Sequence, residues 1–278
     1  MRTIETVKAE KAKKQKNTYN GENPVIRKFA KVEERAGDGE VRATYKGIAN
    51  KTLFFLLMTG VGFALYYYIA PMLAVGEPLP VDGYVFYLPQ LFLLLGAALV
   101  TIITPFLACF INSAIPVAGT LYSLCQGIFI SWLSYTFAGE YNDVIILAVL
   151  ITLVLVFSML MLYTTGTVRP NNKFTIVMTT LFLTMIISSV IIFISYFIPG
   201  LRGFVDLIIG NAFVSILISV LGVIIACLFL ICDFDTIAKT VEHGLPKKYE
   251  WVASFGLAFT IIWLYLKVLD ILIRIKDN

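Results

Sequence analysis

Long uncharged stretches alternate with short polar breaks along this chain, and the breaks set the number of elements. Residues 1–51 are polar, and Thr52–Gly76 then carries no charge. Gly83–Gly139 runs 57 residues without one Asp, Glu, Lys or Arg. A membrane-crossing helix needs about 20 apolar residues, so that block holds two. They part at Asn112-Ser113-Ala114-Ile115-Pro116, a small polar turn ending in proline. Val144–Val168 is a fourth span, Phe174–Leu201 a fifth and Leu207–Cys232 a sixth, and Trp251–Leu266 begins a seventh. The runs are continuous, whereas barrel strands would alternate over about ten residues. The pattern predicts an all-α integral membrane protein. A seven-transmembrane-helix bundle occupies residues 50–278, behind an N-terminal arm at 1–49.

Composition agrees. The chain is 59% hydrophobic and 14% charged, against about 45–50% and 25% for soluble domains. An ordinary cytosolic enzyme and a disordered chain are both excluded. The net charge of +4 is unevenly spread. Residues 1–51 hold thirteen Lys/Arg and seven Asp/Glu. The part through Asn23 reads as a disordered basic arm. It is not a secretory signal, because no apolar core follows in time. Pro24–Lys46 mixes Val25, Ile26, Phe29 and Val32 with Arg27, Lys28 and Lys31. That suits either a short amphipathic helix on an anionic membrane face or a solvated linker.

With the N-terminus inside, 18 of the 22 Lys/Arg fall on inside segments. A cytosolic N-terminus is the expectation. Seven spans place Arg274 and Lys276 outside, against that rule. The arm has no nucleic-acid motif, so its expected partners are lipid headgroups or another protein. No nucleotide-binding, zinc or hydrolase motif occurs in a usable context. The four cysteines lie in apolar runs, and His243 is the only histidine. No enzyme and no cofactor is expected.

Polar groups inside the apolar region carry the candidate chemistry, because an ionisable side chain there costs about 2.5–3.5 kcal/mol. Asp233-Phe234-Asp235 follows the sixth run without a break, and helical composition continues to His243-Gly244. The sixth helix therefore extends past both aspartates. Residues two apart do not share a helix face, so at most one aspartate points into the bundle. Asp235 also suits a plain ion pair with Lys239, four residues on. Glu250-Trp251 opens the last helix. Glu250 is either a first-turn acid complementing the helix dipole or a third carboxylate near the aspartates. Clustered carboxylates repel, shift toward neutral pH and hold Ca²⁺ only when ionised. Gln126, Asn211, Ser188, Ser189 and Thr260 suit hydrogen bonding between helices or a pore lining. Lys267 and Asp270 suit an ion pair or interfacial snorkelling.

The C-terminal third also carries a resemblance. Cys232-Asp233-Phe234-Asp235 is followed by Lys239, Gly244, Pro246-Lys247, Glu250-Trp251, Phe255-Gly256-Leu257 and Trp263-Leu264-Tyr265-Leu266. With Asn23-Pro24-Val25 and Asn50-Lys51-Thr52, this resembles the bacterial Bax inhibitor-1/YccA-like family of the transmembrane Bax inhibitor motif superfamily. The resemblance implies a seven-helix bundle whose C-terminal helix is central, surrounded by the other six. It implies a pH-sensitive Ca²⁺ leak, with Ca²⁺ as permeant ion, and a bacterial cytoplasmic membrane. The family's sensor is an aspartate pair, one late in the sixth helix and one in the seventh. The first carries over to Asp235, with Asp233 beside it. The second falls near Thr260, which is no acid, and the expected Glu-Gly of the third helix reads Gln126-Gly127. Some bacterial relatives resemble modulators of a membrane-bound protease, so a non-conducting regulator is the alternative.

Overall fold

A computed structural model describes residues 41–81, 84–136, 142–195, 203 and 212–276. The arm through Asn23, and most of the Pro24–Lys46 segment, lie outside them. Helix α1 (Tyr45–Leu73) starts seven residues before the uncharged run. Thr44 explains the early start. Its backbone is extended, and its hydroxyl accepts from the Gly47 N–H at 3.0 Å, which satisfies one of the free donors of the first turn. The loop after α1 contains an element the hydropathy pattern hides. Leu79–Val81 (β1) pairs antiparallel with Tyr84–Phe86 (β2), a short hairpin in an otherwise helical fold. The signal was there: Asp82-Gly83 between two apolar triplets is a hairpin dipeptide.

Helix α2 (Leu88–Phe110) is followed by a 3₁₀ turn at Asn112–Ala114 and then α3 (Ile115–Thr136). The break falls where the Asn-Ser-Ala-Ile-Pro stretch predicts it. Helices α4 (Asn142–Thr164), α5 (Asn172–Ser195), α6 (Ala212–Glu242) and α7 (Tyr249–Lys276) complete the described residues. Six of these seven helices are long and apolar enough to cross a membrane over their described residues. Helix α5 is 24 residues long. Helix α7, with 28 residues, measures about 42 Å. That is long enough to cross the ~30 Å hydrocarbon core.

Helices α1 and α3 approach closely because glycine lets them. A Cβ on Gly62 would sit 2.1 Å from Leu124 O, and one on Gly127 2.0 Å from Thr59 O. Small residues at such crossings let dispersion act between backbones, where lipid offers no hydrophobic drive. Helix α7 packs against α1, α3, α4 and α6. Leu264, Leu269 and Ala258 on α7 are almost fully buried. Among the described residues, α2 packs mainly on α3, and α5 touches α6 only lightly. Leu153, Val154 and Phe157 of α4, like Ile176 and Leu183 of α5, are exposed, the surface a bilayer requires.

Candidate functional site

Helix α6 runs on past the aspartates and ends where its composition says. The Gly244 N–H bonds Val241 O at 3.0 Å and the Leu245 N–H bonds Thr240 O at 3.1 Å, a Schellman ending. Gly244 has φ +62°, which glycine adopts without steric cost. The two aspartates therefore sit nine and seven residues inside the helix end, and they face different neighbours.

Asp235 turns toward α4. Lys239 Nζ lies 2.6 Å from Asp235 Oδ2, and the Tyr163 hydroxyl makes a long 3.5 Å contact to Oδ1. Asp233 turns toward α7. Thr260 lines the same recess as that carboxyl, and a Cβ on Gly256 would lie 3.6 Å from Asp233 Oδ1. Asp233 Oδ2 is sealed from solvent and has no hydrogen-bond partner among the described residues. The carboxyl and Thr260 form the polar part of a recess of about 200 Å³ between α5, α6 and α7. Its walls are the rings of Phe182, Phe229, Phe259 and Trp263.

Glu250 is only 1% exposed, and its carboxylate turns to α1. Lys51 pairs with Oε2. The Thr44 N–H and hydroxyl donate to Oε1 at 2.9 and 3.1 Å. Gly47 leaves room for this, since a Cβ there would fall 2.2 Å from Glu250 Oε1. Lys51 Nζ also stands 5.1 Å from the centre of the Trp251 ring. One turn on, Ser254 Oγ is 2.9 Å from Ile48 O. The chain before α1 pairs with the loop before α7: the Ala43 N–H bonds Leu245 O at 2.7 Å, and the Lys247 N–H bonds Val41 O at 2.8 Å. Glu250 thus belongs to a latch between the entry of α1 and the start of α7. The expectation that it reaches toward the aspartates meets a side chain already engaged elsewhere.

The remaining candidates divide. Gln126 is buried, and its Nε2 lies 3.2 Å from the Tyr122 hydroxyl. Tyr122 in turn packs on Phe255 and Phe259 of α7. Asn211 lies outside the described residues, as does the side chain of Ser189. Asp270 pairs with Arg274 rather than Lys267, at 3.0 Å, and accepts from the Ser219 hydroxyl at 2.5 Å. The Lys267 stem lies over Gly222 instead. Among the described residues no three His, Cys, Asp or Glu side chains converge to hold a metal ion.

The chain matches the family described as Bax inhibitor 1 like across residues 5–277, nearly its whole length. It belongs to that family. No curated protein and no solved structure matches it.

In this Bax inhibitor-like chain the two aspartates face different helices. The motif pointed first to Asp235, but the carboxyl facing Thr260 is that of Asp233. Sequence reasoning missed Tyr163, Gly256 and the partners of Glu250. Lys51 carried a usable signal, as a lone cation at the head of an apolar run. Tyr163 and Gly256 carried none, because their roles depend on which helices become neighbours.

Proposed function

We propose that this Bax inhibitor-like protein is a pH-sensitive cation leak channel, with Ca²⁺ as the permeant ion and protonation at Asp233 and Asp235 as the gate. On this reading all seven helices span a bacterial cytoplasmic membrane and the N-terminus is cytosolic. The observation that supports it best is the Asp233 carboxyl, held between α6 and α7 with an oxygen that no described side chain or backbone group satisfies. An ionised carboxyl in such a place is costly unless a cation compensates it. A passing Ca²⁺ supplies that compensation without a dedicated cage, and weak holding is what conduction needs.

Protonation removes the anionic site, and the aromatic walls then present only apolar surface to an ion. Flux therefore falls as pH falls. Asp235 pairs with Lys239 and meets the Tyr163 hydroxyl, and on this reading it lies at the inner mouth. Opening the Asp235–Lys239 pair would free a second carboxylate for an arriving ion. The test is Ca²⁺ entry into proteoliposomes across a pH series, with Asp233→Asn and Asp235→Asn beside the unsubstituted protein. The expected result is a pH-dependent flux that becomes low and flat in Asp233→Asn. An unchanged pH profile in both variants would sink the proposal.

A second reading, a non-conducting regulator of a membrane protein such as a protease, draws on the latch. Residues 41–43 are hydrogen-bonded to 245–247, so a partner pulling on the arm would act directly on the start of α7. Deleting residues 1–23 should abolish partner binding if this reading holds, and leave flux intact if the leak reading holds.

A further inference from the structure

The polar residues of α6 and α7 share one seam. On α6, Gly222 stands eleven residues before Asp233, about three turns, and so on the same face. On α7, Lys267 stands seven residues after Thr260, about two turns, again on the same face. These two positions meet: a Cβ on Gly222 would lie 3.1 Å from Lys267 Cδ and 3.5 Å from its Cε. Farther along, the Ser219 hydroxyl donates to Asp270 at 2.5 Å, Arg274 Nε donates to Asp270 at 3.0 Å, and Arg274 Nη1 donates to the Ser215 hydroxyl. Between this group and Thr260, Ala226, Leu230 and Leu264 are fully buried in one apolar cluster. The seam is thus polar at both ends and closed in the middle. Lys267 lies eighteen residues from the start of α7, or about 27 Å along it, so on the leak reading it stands at the outer mouth. Asp270 is engaged by Arg274, whereas Lys267 has no ion pair among the described residues. Two cations and one anion meet here, and one positive charge is left over. Gly222 gives the Lys267 stem room to lie on α6, which keeps it on the seam.

We propose that Lys267 is the charge filter of the leak, a fixed cation at the outer mouth that holds back divalent ions more than monovalent ones. This rests on the leak reading and names the residue that sets its ion preference. The energy of an ion in a fixed field scales with its charge. A potential that depletes K⁺ at the mouth by some factor depletes Ca²⁺ by that factor squared. Charged side chains lining a pore select ions in this way. A path that admits Ca²⁺ past Lys267 therefore admits it slowly.

Ca²⁺ and K⁺ fluxes into proteoliposomes of zwitterionic lipid, at one pH, test it. Lys267→Met keeps the stem and removes the charge. It should raise K⁺ flux about 3-fold and Ca²⁺ flux about 10-fold, so that the Ca²⁺/K⁺ ratio rises about 3-fold. Lys267→Arg keeps the charge and should restore the ratio of the unsubstituted protein. Asp270→Asn makes the mouth more positive and should lower the ratio. An unchanged ratio in Lys267→Met overturns the proposal, and so does an equal rise in Lys267→Arg, which marks a packing effect rather than a charge effect. If Lys267→Met fails to fold, the unsubstituted protein decides: screening with added N-methylglucamine chloride should raise its Ca²⁺/K⁺ ratio, and a ratio that stays flat or falls overturns the proposal. No flux above empty liposomes sinks the leak reading and this one together. Flux with an unchanged ratio in Lys267→Met sinks this one alone.

Discussion

Glu250 and Asp233 are carboxylates on successive helices, α7 and α6, and the fold treats them in opposite ways. Glu250 is almost wholly buried, yet both its oxygens are engaged, by Lys51 on one side and Thr44 on the other. Asp233 keeps an oxygen without a described partner in an aromatic recess. The first arrangement stabilises, because a buried charge that is paired and hydrogen-bonded no longer bears its full desolvation cost. The second leaves an unmet demand that a proton or a cation can answer. Burial alone does not separate the two carboxylates; the unanswered oxygen does.

The sharpest way to break this contrast is to make Glu250 resemble Asp233. Lys51→Met leaves a buried carboxylate with only Thr44, and should cost about 3 kcal/mol or more. Thermal unfolding in detergent reads this, and adding Glu250→Gln to Lys51→Met should restore much of the loss. If Lys51→Met is neutral, the latch is not a stability element. Gly47→Ala attacks the same contact sterically. Its Cβ would displace a carboxylate fixed by three groups, at about 1–3 kcal/mol, and the same melt should show a smaller drop.

Asp233→Asn should behave in the opposite sense. It loses no described partner of Oδ2 and removes a charge, so stability should move by less than about 1 kcal/mol in either direction. A large destabilisation would place Asp233 among structural groups and remove the contrast. Lys239→Met is the smallest test. Its pair with Asp235 is a partly exposed i,i+4 contact, worth about 0.3–0.5 kcal/mol. A melt within error of the unsubstituted protein is expected.

Much of the scaffold was legible along the chain. Charge gaps marked the apolar runs, the Asn112–Pro116 break fell where α2 ends, and Gly244 marked the end of α6. These features are local: span length, turn chemistry and capping depend on a residue and its neighbours within a few positions. The hairpin at Leu79–Phe86 was equally local but lay under a hydropathy argument too coarse to see it. The spacing of Asp233 and Asp235 also foretold that the two would face different ways, since helix geometry separates residues two apart.

What lies across the helices was not legible. Nothing near Glu250 in sequence announces Lys51 or Thr44, some 200 residues away. Nothing near Asp233 announces Phe182 or Trp263. The sequence by itself determined a multi-pass helical membrane protein, its breaks, and the few acids worth examining. Only the tertiary structure decided that Glu250 is answered while Asp233 Oδ2 has no partner among the described residues. The reason is physical: membrane helices form on local hydrogen bonds and apolar length, whereas the environment of a buried carboxylate is set by which faces of distant helices pack together.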